Sequence, residues 1–313
     1  MIAACHRCGW DGELTRDLWR CPTCGGPLAW AGERALRPEA TQPNLPGLWR
    51  YAAALPVGPE KAVSLGEGMT PLPSLEIDGA EVRVKLDSQN PTGSFKDRGV
   101  AVMISVLKQL GATHAVEDSS GNAGAAVAAY AARAGMRCAI FAPAAASPGK
   151  LAQAVAYGAE VTLVPGKREA VAEAAMAAAA ATPGATYASH NWHPAFIEGV
   201  KTWAFEVWEQ LGRNAPDAIV VPAGSGSLVL GAALGFEELR RGGAITKLPR
   251  LYAAQPAACA PLVVAMRSGA ADVERFPSTP TLAEGASIAE PIRGREALAA
   301  LRQTNGGAVA IEE

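Results

Sequence analysis

The stretch Asn90-Pro91-Thr92-Gly93-Ser94-Phe95-Lys96-Asp97-Arg98-Gly99 decides how the rest of this sequence is read. Before it, Val82, Val84 and Leu86 alternate with other residues and predict a strand. Pro91 and Gly93 predict a turn, and an apolar-periodic run from Val100 to Leu110 predicts a helix. Lys96 therefore falls in the first turn of a helix, where the backbone carries about half a unit of positive partial charge. That field, with any desolvation, favours the neutral amine, the form that attacks carbonyls and makes Schiff bases. An exposed lysine beside Asp97 is the plainer reading of the same residues.

Downstream, strands predicted at His114 to Glu117, Met136 to Ala142 and Glu160 to Val164 alternate with helices at Ala123 to Ala134, Pro148 to Tyr157 and Lys167 to Ala181. Alternation at this spacing argues for a parallel α/β layer. His114, Met136 and Cys138 on these apolar runs read as core, and Cys138 and Cys259 as reduced and buried. Ser119-Ser120-Gly121-Asn122-Ala123-Gly124 joins a strand to a helix N-terminus, so free N–H groups, two hydroxyls and an amide converge as a nest for a carboxylate or phosphate. A helix cap by Ser120 or Asn122 is the alternative. Ile219 to Pro222 reads as a buried strand, and Gly224-Ser225-Gly226-Ser227 follows it into another helix, small residues that let the backbone approach an anion. His190 and His193 precede a helix started by Pro194 and are either acid–base groups or loop residues. Arg250 to Gln255 and the final residues 307–313 read as further strands.

Toward the N-terminus, Cys5-x-x-Cys8 and Cys21-x-x-Cys24, with glycines after each pair, predict a four-cysteine zinc ribbon rather than two disulfides. Four thiolates leave no open coordination position, so the expected role is structural. His6 is expected to be exposed, and Arg7, Arg16 and Arg20 are balanced by Asp11, Glu13 and Asp17, leaving no basic face. With 313 residues, 49% hydrophobic and 19% charged, the chain is expected to build more than one domain. A formal net charge of -2 gives no footprint for nucleic acid or an anionic membrane. With no apolar span and no signal-peptide pattern, the expected location is the cytoplasm.

Pro91 to Arg98, with Ser119 to Ala123 and Gly224 to Ser227, resembles the pyridoxal-phosphate enzymes of fold type II, and among them most resembles threonine synthase. Gly66 to Leu72 resembles the loop that opens that family's catalytic body, Glu198-Gly199-x-Lys201-Thr202 is also threonine synthase-like, and similar N-terminal ribbons precede some threonine synthases. The resemblance implies an α/β fold of two parallel-sheet domains behind the ribbon. The expected division is residues 1–30 ribbon, 31–66 linker, 67–111 and 213–313 large domain, and 112–212 small domain.

It further implies pyridoxal 5'-phosphate as cofactor, carried as a Schiff base by Lys96, with Asn122 at its phenolic oxygen and Gly224, Ser225, Gly226 and Ser227 at its phosphate. Ser119, Ser120, Gly121, Asn122 and Ala123 would hold the substrate's α-carboxylate. The implied reaction is a lyase reaction turning O-phospho-L-homoserine and water into L-threonine and phosphate, with Lys96 moving the protons. Partners would be a small amino-acid substrate, no nucleic acid and no membrane, with a homodimer left open. Threonine or serine dehydration, β-replacement of the cysteine or cysteate synthase type, and a catalytically silent paralogue are the alternatives. Thr281 to Ala286 resembles a dehydratase segment and keeps the first of them in play. Family members continue past the last predicted strand with a helix, more sheet, and a Ser or Thr at the pyridine nitrogen. The large domain is therefore expected to lack its C-terminal part.

Overall fold

The computed structural model describes residues 1–166 and 168–313. The chain divides into two compact units, Met1–Gly32 with Pro43–Gly199, and Glu33–Gln42 with Val200–Glu313. In the first unit, β1 (Ile2–Ala4), β2 (Asp11–Glu13) and β3 (Ala29–Trp30) make a small sheet in the order β2-β1-β3. An exposed hairpin, β4 (Ser74–Ile77) and β5 (Ala80–Arg83), precedes helix α1 (Lys96–Gln109). Then follow β6 (His114–Glu117), α2 (Asn122–Ala134), β7 (Arg137–Pro143), α3 (Pro148–Ala156), β8 (Glu160–Val164), α4 (Arg168–Ala181), β9 (Ala185–Tyr187) and α5 (Pro194–Val200). Their four strands form an all-parallel sheet in the order β8-β7-β6-β9.

This alternation is the one read from the sequence, because each strand is short, apolar and followed by a helix with its own breaker. Helix α2 stops at Gly135, a left-handed cap. Helix α4 buries Val171, Ala175 and Ala179, four residues apart on one stripe. Ala175 and Ala179 join Val116, Ala185 and Tyr187 in a core cluster with Trp19, Phe141 and Trp192 packed against it. The alanines are thus a small-residue face as well as a helix-forming composition. Lys167, the predicted first residue of that helix, lies outside the described residues. Strand β9, which pairs with β6 along Ala185–Tyr187, is an addition to the expected strands: three residues are too few to show an alternation.

The second unit holds α6 (Thr202–Gln210), β10 (Ala218–Pro222), α7 (Ser227–Arg241), β11 (Arg250–Pro256), α8 (Pro261–Ser268), α9 (Gly294–Gln303) and β12 (Gly307–Ile311). Its three strands run parallel in the order β10-β11-β12. Lys201 and Glu238 form a buried ion pair at 2.7 Å. No helix among the described residues is long and apolar enough to cross a membrane.

Three local expectations are corrected. The strand expected from Val82 to Leu86 ends at Arg83, and it belongs to the exposed hairpin. Asp78-Gly79, both at positive φ, make its two-residue turn, and Val84 and Leu86 bond instead to the carbonyls of Pro73 and Pro71. The run Ile219 to Pro222 is only half buried: Ile219 and Val221 point inward while Val220 is 64% exposed, a distinction that an unbroken apolar run does not carry. His114 is not core. It opens β6, is half exposed, and bonds to Thr113 and Arg137.

Candidate active site

The first turn of α1 is held rigidly by the residues around Lys96. Asp97 is fully buried and accepts from the Thr92 hydroxyl at 2.8 Å and the Thr92 N–H at 3.3 Å. Burial outweighs those bonds and pushes its carboxyl up to about 6. The guanidinium of Arg98, with no exposed surface, clamps both oxygens of Asp87 at 2.8 Å. Between these anchored neighbours Lys96 is half buried, its Nζ 3.9 Å from the centre of the Phe95 ring. Burial brings the ammonium down to about 8, with the Glu117 carboxyl pulling the other way. Desolvation thus leads the shift toward the neutral amine anticipated from the helix terminus.

At the end of β6 lies a set of groups of which sequence reasoning named only His190, as one of two readings. Glu117 and Asp118 are both buried, and Glu117 Oε1 lies 2.7 Å from His190 Nδ1. Arg168 reaches Asp118 with a side-chain contact of 2.9 Å. Burial, then the charge of Asp118, raises Glu117 well above the carboxylate range. Burial, then the charges of Lys96 and Arg168, holds His190 well below the usual imidazole range. The available signal is two acids closing an apolar strand of a parallel sheet, whose carboxyl ends are where such folds bind ligands. His193 separates from His190: its Nδ1 accepts the Ala195 N–H at the start of α5 and serves that helix.

The loop from Ser119 to Gly124 lies directly after Asp118, on the same strand end. Helix α2 begins at Asn122 with Gly121 as its cap residue and no side-chain capping bond, so neither Ser120 nor Asn122 is used as the cap. The Ser119 hydroxyl accepts from the Gly121 N–H at 3.3 Å. The helix terminus keeps its forward N–H groups available to an anion. Lys96, Glu117, His190 and this loop all belong to the first unit.

In the second unit, Gly224, Ser225, Gly226 and Ser227 lead from β10 into α7, again without a side-chain cap. Gly226 has φ +81°, and a Cβ on Gly224 would lie 2.9 Å from the Gly285 carbonyl oxygen and 3.1 Å from Ala286 Cα. The loop therefore requires glycine there. The Ser225 and Ser227 hydroxyls are 3.4 Å apart at the start of a fifteen-residue helix.

Cys5, Cys8, Cys21 and Cys24 bring their sulfurs within 4.8 Å of one another, a set that could hold a metal ion. The two halves repeat one geometry: Gly9 N–H donates to the Cys5 carbonyl and Gly25 N–H to the Cys21 carbonyl, both at 2.9 Å. Cys138 and Cys259 are free and buried, and His6 is exposed.

A sequence profile described as pyridoxal-phosphate dependent enzyme matches residues 63–313. Threonine synthase of Methanocaldococcus jannaschii is 34% identical over all of this chain and 80% of its own length. Threonine synthase of Methanosarcina acetivorans is 32% identical over 99% of this chain and 78% of its own. Among solved structures, maize serine racemase is 25% identical with a TM-score of 0.67, covering 78% of this chain and 73% of its own. A threonine deaminase from T.th. gives the same identity and TM-score over 78% of this chain and 77% of its own. The chain belongs to the pyridoxal-phosphate dependent enzymes, in the threonine synthase group.

Proposed function

We propose that this chain converts O-phospho-L-homoserine and water to L-threonine and phosphate, with Lys96 as the lysine that carries the cofactor and moves the substrate's protons. The observation that carries the assignment of Lys96 is its desolvated amine, brought to about 8 between anchored neighbours. The residues present fit the cofactor. A neutral amine suits an aldehyde, and a glycine-demanding loop at an uncapped helix start suits a phosphate. When bound, pyridoxal phosphate would supply a carbonyl for the substrate amine and a ring that takes up electrons from bonds broken at the α-carbon.

Each group of residues has its task. Ser119, Ser120, Gly121, Asn122 and Ala123 hold the α-carboxylate, Asn122 also donating to the cofactor's phenolic oxygen. Gly224, Ser225, Gly226 and Ser227 hold the cofactor's phosphate. Lys96 takes and returns the proton at Cα, and moves the proton taken from Cβ to Cγ, as the γ-phosphate leaves and water adds at Cβ. The choice of substrate rests on the relatives named threonine synthase. Zinc is the metal we assign to the four cysteines. Four sulfurs about 2.3 Å from a tetrahedral centre stand about 3.7 Å apart, and the pairs Cys5–Cys24 and Cys8–Cys21 stand 3.5 and 3.6 Å apart.

The test is phosphate release from O-phospho-L-homoserine by the cofactor-loaded chain, with threonine identified as co-product. Release of a 2-oxo acid from threonine, with no phosphate from the phosphoester, would give the dehydratase reading instead. A Lys96→Ala chain that kept full turnover would overturn the lysine's role.

A further inference from the structure

The lysine chemistry above leaves Glu117 and His190 without a task. His190 is 8% exposed, its ring edge-on to Phe196 with centroids 5.6 Å apart. Its Nδ1 is taken by Glu117, while its Nε2 has no hydrogen-bond partner among the described residues. A histidine held at one nitrogen by a buried carboxyl and open at the other has the arrangement of an oriented acid–base group. Glu117 has no exposed surface, and its Oε2 is buried without a partner among the described residues. An ionised carboxylate would leave charge on that orphaned oxygen, whereas a protonated one leaves only a carbonyl there. Burial favours the protonated acid and the neutral imidazole alike. The charged and titratable groups facing the pair are Asp118 beside it, Arg168 of α4, Lys96 of α1, Tyr187 of β9 and Cys138 of β7.

We propose that Glu117 and His190 form a proton relay for the leaving group: the Glu117 carboxylic acid donates to His190 Nδ1, which places the ring hydrogen on Nε2, and Nε2–H protonates the phosphate oxygen as it departs. The relay rests on the phosphoester reading above. In the elimination, Lys96 takes the Cβ proton and the electrons of that C–H bond form the new C=C bond. The γ C–O bond breaks with its electron pair on the phosphate oxygen, which takes the Nε2 proton while Nδ1 takes the Glu117 proton. The site is left with a Lys96 ammonium and a Glu117 carboxylate, opposite charges created together in a low-dielectric setting, so neither is left uncompensated. Water addition resets the pair: Lys96 gives its proton to Cγ, which becomes the methyl carbon, while the water that adds its oxygen at Cβ passes its spare proton through His190 to Glu117. His190 is then a catalytic residue and Glu117 a positioning residue and proton source.

The experiment uses the full cofactor-loaded chain and its His190→Gln and Glu117→Gln variants, with L-2-amino-4-chlorobutanoate as the second substrate, because chloride leaves without a proton. With the phosphoester, kcat should fall about 10²- to 10⁴-fold in both variants while KM stays within about threefold. With the chloro analogue the loss should shrink to less than about tenfold. Exchange of the α-hydrogen of L-2-aminobutyrate in deuterium oxide needs Lys96 alone and should persist in both variants. A ¹⁵N spectrum of the wild-type chain without cofactor should place the His190 hydrogen on Nε2. Equal losses on both substrates, loss of α-exchange, or the hydrogen on Nδ1 would each overturn the relay. A wild-type chain that releases no phosphate overturns the substrate reading and the relay with it. Turnover unchanged in both variants overturns the relay alone.

Discussion

A lysine that titrates near 8 is half neutral at a pH where a solvent-exposed lysine is almost wholly charged, and the whole reading of Lys96 turns on that difference. The shift comes from burial beside Phe95 and between the anchored Asp97 and Arg98, so it belongs to the folded chain alone. Trace acylation of the cofactor-free chain across a pH series, read by mass spectrometry at Lys96, should follow an apparent pKa of about 8. A profile centred above about 10 would show the amine to be solvated and remove the basis of its assignment. The sign for stability follows from the same shift. Folding lowers this pKa, so between about pH 8 and about 10.4 the unfolded chain binds more protons there, and this group makes the fold more stable as pH rises. Lys96 is legible in the sequence because turn, lysine and helix are contiguous. His190 is legible only as a candidate, and its partnership with Glu117, 73 residues away, is not, because only the pairing of β6 beside β9 brings their segments together.

Helix α1 shows how an element can be specified by its buried polar anchors. Every residue from Asp97 to Leu107 is buried, so the helix has no solvent face along that run and its register must be set from within. The Arg98–Asp87 clamp sets it, joining the helix start to the short turn that precedes Asn90. Asp87→Ala should lower the unfolding free energy by about 3–5 kcal/mol, because the Arg98 guanidinium would stay buried without its carboxylate. Urea denaturation checks this, and a loss under about 1 kcal/mol would show that the clamp is solvated in practice. Helix α4 makes the opposite use of side chains: Ala175 is fully buried against β6 and β9 and leaves no room to grow. Ala175→Leu should destabilise by about 1–3 kcal/mol through overpacking, a thermal shift that the half-buried Ala178→Leu should not reproduce in full. The helices and parallel strands are readable because period and breakers agree. The hairpin at residues 74–83 is harder, because its turn dipeptide, Asp78-Gly79, competes with the apolar alternation that follows it.

At the scale of the whole chain, the segment that carries the four N-terminal cysteines reaches into the body of the first unit. Trp19, two residues before Cys21, packs edge-on against Tyr187 at 4.9 Å and Trp192 at 5.4 Å. Thr186 also donates its hydroxyl to the Arg16 carbonyl at 2.7 Å. These contacts join the ribbon to β9 and to the loop that carries His190. The four-cysteine cluster is legible from the cysteine spacing, but nothing in the sequence says what its segment rests on, because Trp19 and Trp192 are isolated aromatics until the chain is folded. With zinc in the four cysteines, as proposed above, a thirty-residue segment with so small a core would depend on that metal, since ligation is worth roughly 10–16 kcal/mol in zinc-finger peptides. Removing the metal with a chelator should therefore free Trp19 from both aromatic neighbours, red-shift part of the tryptophan emission, and open the backbone amides of β1 and β2 to hydrogen exchange. The amides of β7, paired on both sides by β6 and β8, should stay protected. Trp19→Ala should abolish most of the emission change while leaving one zinc per chain, which separates the docking contact from the metal site itself. Emission and exchange that ignore the chelator, in a chain shown by metal analysis to have lost its zinc, would mean that the ribbon holds its shape without ligation.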